Sequence, residues 1–308
     1  MQKSHNLDTV REMVILRKAG LSSREIAKHL GVSKSSVNEN LNKLNKKAKN
    51  KHPTEKYLFL DVETSPDIAV TFKRFKANLS QDNILQDGGS IISISWRWLG
   101  DDKAQGLAMS PEEALLNNDS RLCSVLWSLI EEADVIIGHN VDNFDLPIIK
   151  ARMVINNFAA LKKVRTIDTL KLARQMRFPS NRLGSLGVIL GEGDKASHSG
   201  IKTWIGCMSG EQEALDEMLV YNIEDVDLLF RVYMRLRNHD ARPVNAGLFT
   251  DSEEQTCPVC GSTDIDETGN TVYTPLNEFK EHVCNDCGTR SRSRTAVTTK
   301  QKRKNLLS

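Results

Sequence analysis

Hydrophobic and polar positions along this chain switch between a helical period and a strand period, and the switches mark its elements. From Leu7 to Lys18 apolar residues recur at helical spacing (Leu7, Val10, Met13, Val14, Leu16), and Ala19-Gly20 ends the run. Ser22-Ser23-Arg24-Glu25 then supplies an N-cap and a capping box for a short helix reaching Leu30, with Ile26, Ala27 and Leu30 facing inward. Gly31-Val32-Ser33 turns the chain. Ser33 caps a third helix whose buried stripe is Val37, Leu41 and Leu44, and His52-Pro53 breaks it because proline disfavours helical backbone in the residue before it.

Beyond that break, short apolar runs alternate with longer helical patterns, which predicts an α/β domain over about residues 54–240. The runs Tyr57–Thr64, Ile91–Trp98, Ala133–Gly138 and Val164–Asp168 read as strands. Helices are predicted over Arg121–Glu132, Leu146–Phe158, a short stretch carrying Leu170, Leu172 and Ala173, Leu183–Leu190, and a long Gly210–Leu236. Ser65 to Gly89 is polar, with Phe72, Lys73, Arg74, Phe75 and Lys76 interleaved, and reads as a loop or edge hairpin. Gly100 to Asn118 reads as a loop with a weak helical piece, and Gly191 to Gly200 as a flexible loop holding Lys195 and His198.

At 308 residues, 39% apolar and 27% charged, the composition is that of an ordinary soluble protein with room for about two domains. No stretch approaches the roughly 20 apolar residues of a membrane span, and Met1-Gln-Lys-Ser-His-Asn6 has no apolar signal region, so no membrane association and a cytoplasmic location are expected. Charge changes the picture more. Residues 1–52 carry about +8 and residues 290–304 about +7, which leaves about −13 for the remainder of a chain whose net charge is +2. Basic ends on an acidic middle suit a protein that grips a polyanion at its flanks and holds cations at its centre.

The candidate chemistry lies where predicted strands end. Successive side chains of a strand alternate faces, so Asp61 and Glu63 project on one side of the Tyr57–Thr64 run. Two such carboxylates at the end of a buried strand repel one another unless a cation lies between them, which points to a divalent metal held by oxygen ligands. The Ala133–Gly138 strand runs into His139-Asn140-Val141-Asp142-Asn143-Phe144-Asp145, with Asp145 as the acid to join that site and Asp142 as a first-turn acid favoured by the helix dipole. Asp168 is expected to stabilise the start of the helix that follows it. Tyr221 and Asp225 lie four apart on the last long helix and share a face.

These pieces carry two resemblances. Leu21 to Leu41 closely resembles the helix-turn-helix of bacterial and phage DNA-binding domains, which makes the helix from Ser33 the recognition helix and places Lys34, Ser35, Ser36 and Asn38 against bases or phosphates. Asp61-x-Glu63, Asn140-x3-Phe144-Asp145 and Tyr221-x3-Asp225, in that order, resemble the three motifs of the DEDD exonuclease superfamily, in the tyrosine form found in proofreading domains of family B DNA polymerases. The histidine form needs that residue at Val220 and is excluded.

The second resemblance covers about residues 57–237 and implies a ribonuclease-H-like mixed sheet with flanking helices. It implies Asp61, Glu63, Asp145 and Asp225 as ligands of two Mg2+ or Mn2+ ions about 3.5–4 Å apart. It implies Tyr221 as the residue that orients the attacking water, by hydrogen bonding, because a phenol of ordinary pKa near 10 is a poor base at neutral pH. Asn140 is expected to support the terminal nucleotide or the loop.

Four of the six cysteines form two Cys-x2-Cys knuckles, Cys257/Cys260 and Cys284/Cys287, the spacing of one structural tetrahedral Zn2+ site. They resemble a zinc ribbon spanning about residues 255–290, whereas Cys123 and Cys207 are expected to be packing residues. Residues 291–308 are expected to be a disordered, phosphate-binding basic tail. The expectation is a helix-turn-helix over 1–52, an exonuclease domain over 54–240 and a ribbon, acting from 3′ to 5′ on DNA beside phage or bacterial replication, recombination or repair proteins. RNA as the substrate, a structure-selective endonuclease, and a DNA-binding regulator that keeps a nuclease-like domain are the alternatives. Strand preference and oligomeric state are not set by the sequence.

Overall fold

The computed structural model describes residues 9, 13, 16–17, 21–40, 56–72, 75, 77–194, 199–250 and 252–307. The expectations for Leu41, Leu44, Lys73, Arg74, Lys76, Lys195 and His198 lie outside the described residues.

In the N-terminal module, helix α1 spans Ser23–Leu30 and begins at the expected capping box: Ser22 Oγ accepts from the Glu25 N–H, and the Glu25 carboxylate accepts from the Ser22 N–H. It ends at Gly31 in the left-handed conformation that glycine adopts without a Cβ clash. Residues 34–40 are helical, and the Ser33 hydroxyl accepts from the Ser36 N–H. Met13, Ile26 and Val37 form the buried centre that holds these segments together.

The central domain is built on a five-stranded mixed sheet. Its chain runs β1 (Tyr57–Thr64), β2 (Ile68–Ala69), β3 (Ile84–Gln86), β4 (Ile91–Trp98), β5 (Gln105–Ala108), α2 (Pro111–Leu115), α3 (Ser120–Glu132), β6 (Val135–Gly138) and α4 (Asp145–Ile155). Then come β7 (Arg165–Asp168), α5 (Thr169–Arg174), α6 (Leu183–Leu190), α7 (Ile201–Met208) and α8 (Gln212–Leu236). The strand order is β5-β4-β1-β6-β7, with β1 antiparallel to β4 and parallel to β6. The strands β2 and β3 pair apart from this sheet as a small ribbon.

Alternation along β1 divides the core. Leu58, Leu60 and Val62 face Leu122, Leu126 and Ile130 of α3 and Ile149 and Met153 of α4. Tyr57 and Phe59 face Val226, Leu229, Val232 and Tyr233 of α8. Asp61 and Glu63 continue the Tyr57–Phe59 row, so strand periodicity turns both acids toward α8.

Two elements of the central domain were not read from the sequence. Gln105-Gly106-Leu107-Ala108 is too short and too mixed to show a strand period, yet it pairs with β4. Helix α7 follows Gly200 and packs on α8. The close approach of β6 to β1 depends on Gly138, where a Cβ would stand 2.5 Å from the Val141 Cβ and 3.2 Å from the Leu60 carbonyl oxygen.

A buried ion pair fastens the α3–α4 side. The Asp119 carboxylate, fully buried, accepts from Arg152 Nε (2.6 Å) and Nη2 (2.9 Å), from Asn156 Nδ2 (2.7 Å) and from the Ile91 N–H (3.0 Å). Burial pushes the Asp119 carboxyl up, and these donors outweigh it, so its pKa falls below the ordinary carboxylate value. A lowered folded-state pKa gives stability that is present above the unfolded pKa near 3.9 and lost as the pH falls through the folded value. Asp119→Ala is therefore expected to cost about 3–5 kcal/mol near pH 7, because it leaves the half-buried Arg152, Asn156 and the Ile91 N–H without their shared buried acceptor. Urea unfolding at pH 7 and pH 3 checks both parts, since the difference from wild type should shrink at the lower pH.

The C-terminal domain is a three-stranded sheet in the order β10-β9-β8, with β8 at Ile265–Thr274, β9 at Asn277–Cys284 and β10 at Arg290–Arg292. It is tied to the end of α8: Asn238 Nδ2 donates to the Cys287 carbonyl (2.6 Å), and Thr289 Oγ1 donates to Asn238 Oδ1 (2.9 Å).

Beyond residue 290 the structure differs from the expected disordered tail. Arg290–Arg292 add the edge strand, and helix α9 (Lys300–Lys304) starts at Thr299, whose hydroxyl accepts from the Lys302 N–H. Lys302 pairs with Glu278, and Arg303 Nη1 donates to Asn277 Oδ1. Acceptors at the β8–β9 turn anchor this basic run, and these partners are remote in sequence.

Candidate active site

The site begins with register. Asp61 lies opposite Ser95 and Glu63 opposite Ser93 across the antiparallel β1–β4 pair, and a bulge between Glu63 and Thr64 shifts the register so that Thr64 pairs with Ile91. Helix α8 crosses above and contributes Tyr221, Asn222 and Asp225 from two successive turns, all three buried. Carboxylate oxygens of Asp61, Glu63 and Asp225 lie within 4.8 Å of one another, and Asp225 is only 2% exposed. Trp204 of α7 meets the Tyr221 ring edge-on at 6.5 Å between centroids, which packs the ring one turn from Asp225.

Asn222 was not singled out by sequence reasoning, because an asparagine inside a helix has no spacing signature. Its Nδ2 donates to Asp61 Oδ2 at 2.6 Å, its Oδ1 accepts from Ser93 Oγ at 3.0 Å, and its carbonyl accepts from Ser95 Oγ at 2.7 Å. The serines alternate inward along β4 with Ile92 and Ile94 on the other face, which was the available hint.

Asp145 does not join the three grouped carboxylates. It opens α4, is 1% exposed, and accepts through Oδ1 from the N–H of Val62, the residue between Asp61 and Glu63. Burial pushes its carboxyl up to about 7; the Val62 N–H and its own N–H oppose the rise, and the nearby Asp168 charge adds to it.

Asp168 has the structural role expected for it, capping α5 by accepting from the Leu170 and Lys171 N–H groups. The same Asp168 Oδ1 also accepts from the Asn140 N–H at 3.0 Å. Asn140 sits at φ 73°, a left-handed conformation that asparagine tolerates, and its Oδ1 accepts from Asn143 Nδ2. Asp142 pairs instead with Lys171 at 2.7 Å.

Beside Asn140 opens a recess of about 890 Å³ whose lining includes His139, Arg174, Arg182, Ser185 and Asp194. Arg174 and Arg182 were not picked out in the sequence, where isolated arginines carry no pattern. Their shared position depends on how α5 and the start of α6 converge.

Residues 85–237 match a family model, RNase_H_2, of the RNase_H superfamily. They form an RNase H superfamily domain. The match takes in Asp145, Tyr221, Asn222 and Asp225 and begins after β1, so Asp61 and Glu63 enter the site through strand pairing and lie outside the matched segment. Residues 14–47 match a winged helix-turn-helix DNA-binding family, HTH_24.

Among solved structures, the chain is similar to the family B DNA polymerase from the hyperthermophilic archaeon Pyrobaculum calidifontis. That likeness has 11% identity and a TM-score of 0.41, over 60% of this chain and 26% of the polymerase. This chain thus spans about a quarter of the polymerase chain. No curated protein matches it.

The acidic donor set shared by β1 and α8 fits a divalent cation. Asp61 and Glu63, half-buried on β1, and the buried Asp225 of α8 bring carboxylate oxygens together, and a hard cation bound among them offsets the repulsion of such charges. The second metal group fits a softer ion. Sγ atoms of Cys257, Cys260, Cys284 and Cys287 lie within 4.8 Å of one another, with Cys257–Cys287 and Cys260–Cys284 both 3.6 Å apart. Four thiolates about 2.3 Å from a tetrahedral Zn2+ stand about 3.8 Å from each other, so the four sulfurs fit that ion. Cys123 and Cys207 are buried, and burial pushes both thiols up to about 12, which suits packing residues rather than ligands.

In the helix-turn-helix, Lys34 and Ser35 are exposed, while Ser36 and Asn38 are half-buried. The Asn40 amide donates to the Ser36 carbonyl (2.9 Å) and approaches its hydroxyl (3.4 Å), so Ser36 is partly occupied within its own helix. No described helix is long and apolar enough to cross a membrane.

Proposed function

We propose that the central domain is a divalent-metal-dependent nuclease that removes nucleotides from the 3′ end of DNA. The observation that carries this reading is the convergence of Asp61 and Glu63 from β1 with Asp225 from α8, one turn after Tyr221. That arrangement joins residues from both ends of the domain in the order of the tyrosine-type DEDD motifs.

Asp61, Glu63 and Asp225 would hold Mg2+ or Mn2+, with Asp145 beneath them as a further carboxylate, and the metal would activate water and stabilise the leaving 3′ oxygen. Tyr221, packed against Trp204, orients the attacking water through its hydroxyl. The recess that holds Asn140, Arg174 and Arg182 has the donors to receive the backbone of a terminal nucleotide. The helix-turn-helix match favours DNA over RNA, and the ribbon with its basic run adds phosphate attraction that does not depend on sequence. Zn2+ in the ribbon has a structural role.

The decisive measurement follows end-labelled single-stranded DNA, duplex DNA and RNA with Mg2+ or Mn2+. Stepwise shortening of DNA from the 3′ end with mononucleotide release is expected. Internal cuts support the endonuclease instead, RNA-only digestion supports an RNA exonuclease, and binding with no cleavage in either metal supports the regulator.

A further inference from the structure

Asp61 is held by a residue at one of the unspecified positions of the Tyr221-x3-Asp225 motif, and we propose that this residue, Asn222, is a positioning residue that sets the direction in which Asp61 presents its carboxylate to the metal. This assignment rests on the metal-binding reading of the acidic site. It concerns the hydrogen-bonded shell behind the acids.

Three observations converge on Asn222. It is fully buried, on α8 between Tyr221 and Asp225. Its Nδ2 donates to Asp61 Oδ2 at 2.6 Å, the length of a strong charge-assisted hydrogen bond. The other end of its amide is held as well, because Ser93 Oγ donates to Asn222 Oδ1 at 3.0 Å. A flipped amide would turn its NH2 toward Ser93 and its oxygen toward the Asp61 carboxylate, acceptor against acceptor. The Asp61 carboxylate, which only accepts, therefore selects the amide orientation, and the Ser93 hydroxyl, able to donate or accept, seats the amide in it.

Ser95 completes the arrangement by donating to the Asn222 carbonyl at 2.7 Å. That bond fixes the height of α8 above β4 at the turn where the amide leaves the helix. Ser93 and Ser95 are also the cross-strand partners of Glu63 and Asp61. One pair of inward serines thus aligns the strand that carries two acids with the helix that carries the third. Fixing Asp61 Oδ2 fixes the plane of the carboxylate, and with it the line along which Oδ1 meets an ion. Partners behind metal ligands act in this way, and removing one typically weakens metal binding by about 10–100-fold.

The test uses the full, zinc-loaded chain with Mn2+ alone as the probe, titrated by electron paramagnetic resonance. Asp225→Asn serves as the blank that subtracts binding elsewhere. Asn222→Leu should raise the Kd for Mn2+ about 10–100-fold. Ser93→Ala should weaken binding in the same direction by less, because the donor to Asp61 stays but the far end of its amide loses the group that holds it. The double variant should lose less than the product of the two, since both changes act through one hydrogen bond.

Melting in EDTA separates positioning from simple stability. The assignment predicts that Mn2+ affinity falls in Ser93→Ala while its melting temperature without metal stays within a few degrees of wild type. A Kd within twofold of wild type in folded Asn222→Leu overturns the assignment, and should that variant not fold, the same result in Ser93→Ala does so. A wild-type chain with no Asp225-dependent Mn2+ binding also overturns it. A wild type that binds Mn2+ yet cleaves no nucleic acid removes the nuclease reading alone, and the titration still decides the role of Asn222.

Discussion

Asp225→Asn is expected to abolish metal-dependent cleavage, lowering its rate by at least about a thousandfold, while making the metal-free protein more stable. The rate loss follows from the size of the effect a metal supplies: several kcal/mol of charge stabilisation in the transition state, at tenfold per 1.4 kcal/mol. The stability gain follows from position. Asp225 is 2% exposed, and its carboxylate lies within 4.8 Å of those of Asp61 and Glu63, so without a cation three like charges crowd one another. Asparagine keeps the shape and removes one charge.

Melting curves with EDTA and with millimolar Mn2+ check the second half. Wild type should gain stability on metal addition, and Asp225→Asn should start higher and gain little. A wild type that gains nothing from Mn2+, together with a variant that cleaves at the wild-type rate, would sink the metal-site assignment. Asp61→Ala should match it in activity. Glu63→Gln should show the same direction of effect.

Stripping zinc is expected to unfold the C-terminal ribbon and leave the central domain folded. The buried centre of the ribbon is made largely of its proposed ligands, Cys257, Cys260 and Cys284, with Val259 between them and Ile265 and Cys287 packed against them. So little apolar surface gives few grounds for stability without the ion, and zinc binding supplies about 10–16 kcal/mol in domains of this kind. Cys284→Ser should act as the chelator does, because serine does not replace a thiolate ligand.

Hydrogen exchange reads the outcome by region. The Cys257, Gly261, Cys284 and Gly288 amides donate within the knuckles and should lose protection, whereas β1, β4 and β6 should keep theirs. The Asn238–Cys287 contact joins the ribbon to the end of α8, so the last turn of that helix should loosen as well. Full protection of the ribbon in the zinc-free chain would show that the four cysteines are not its structural centre.

Much of this molecule was legible in its sequence because its elements follow local rules. The capping box at Ser22 and Glu25, the buried runs of β1 and β4, the limits of α6 and the two Cys-x2-Cys knuckles each depend on neighbours a few residues away. Alternation in β1 sufficed to place Asp61 and Glu63 on one face, and helical spacing sufficed to place Tyr221 and Asp225 one turn apart.

Non-local pairing decided the rest. Strand β5 exists because β4 offers it an edge, and the basic run after Arg290 is ordered because Glu278 and Asn277 lie at the turn it reaches. Tertiary structure also sorted the acids: it set Asp145 under Val62 and gave Asp168 to the start of α5. Asn222 came to light last, since an amide in a helix becomes informative only when its partners, Asp61 and Ser93, are brought to it from strands more than a hundred residues away. Periodicity in the sequence determined which side chains share a face; the packing of α8 on β1 and β4 decided which faces meet, because contact between remote segments depends on register and helix height that no local pattern encodes.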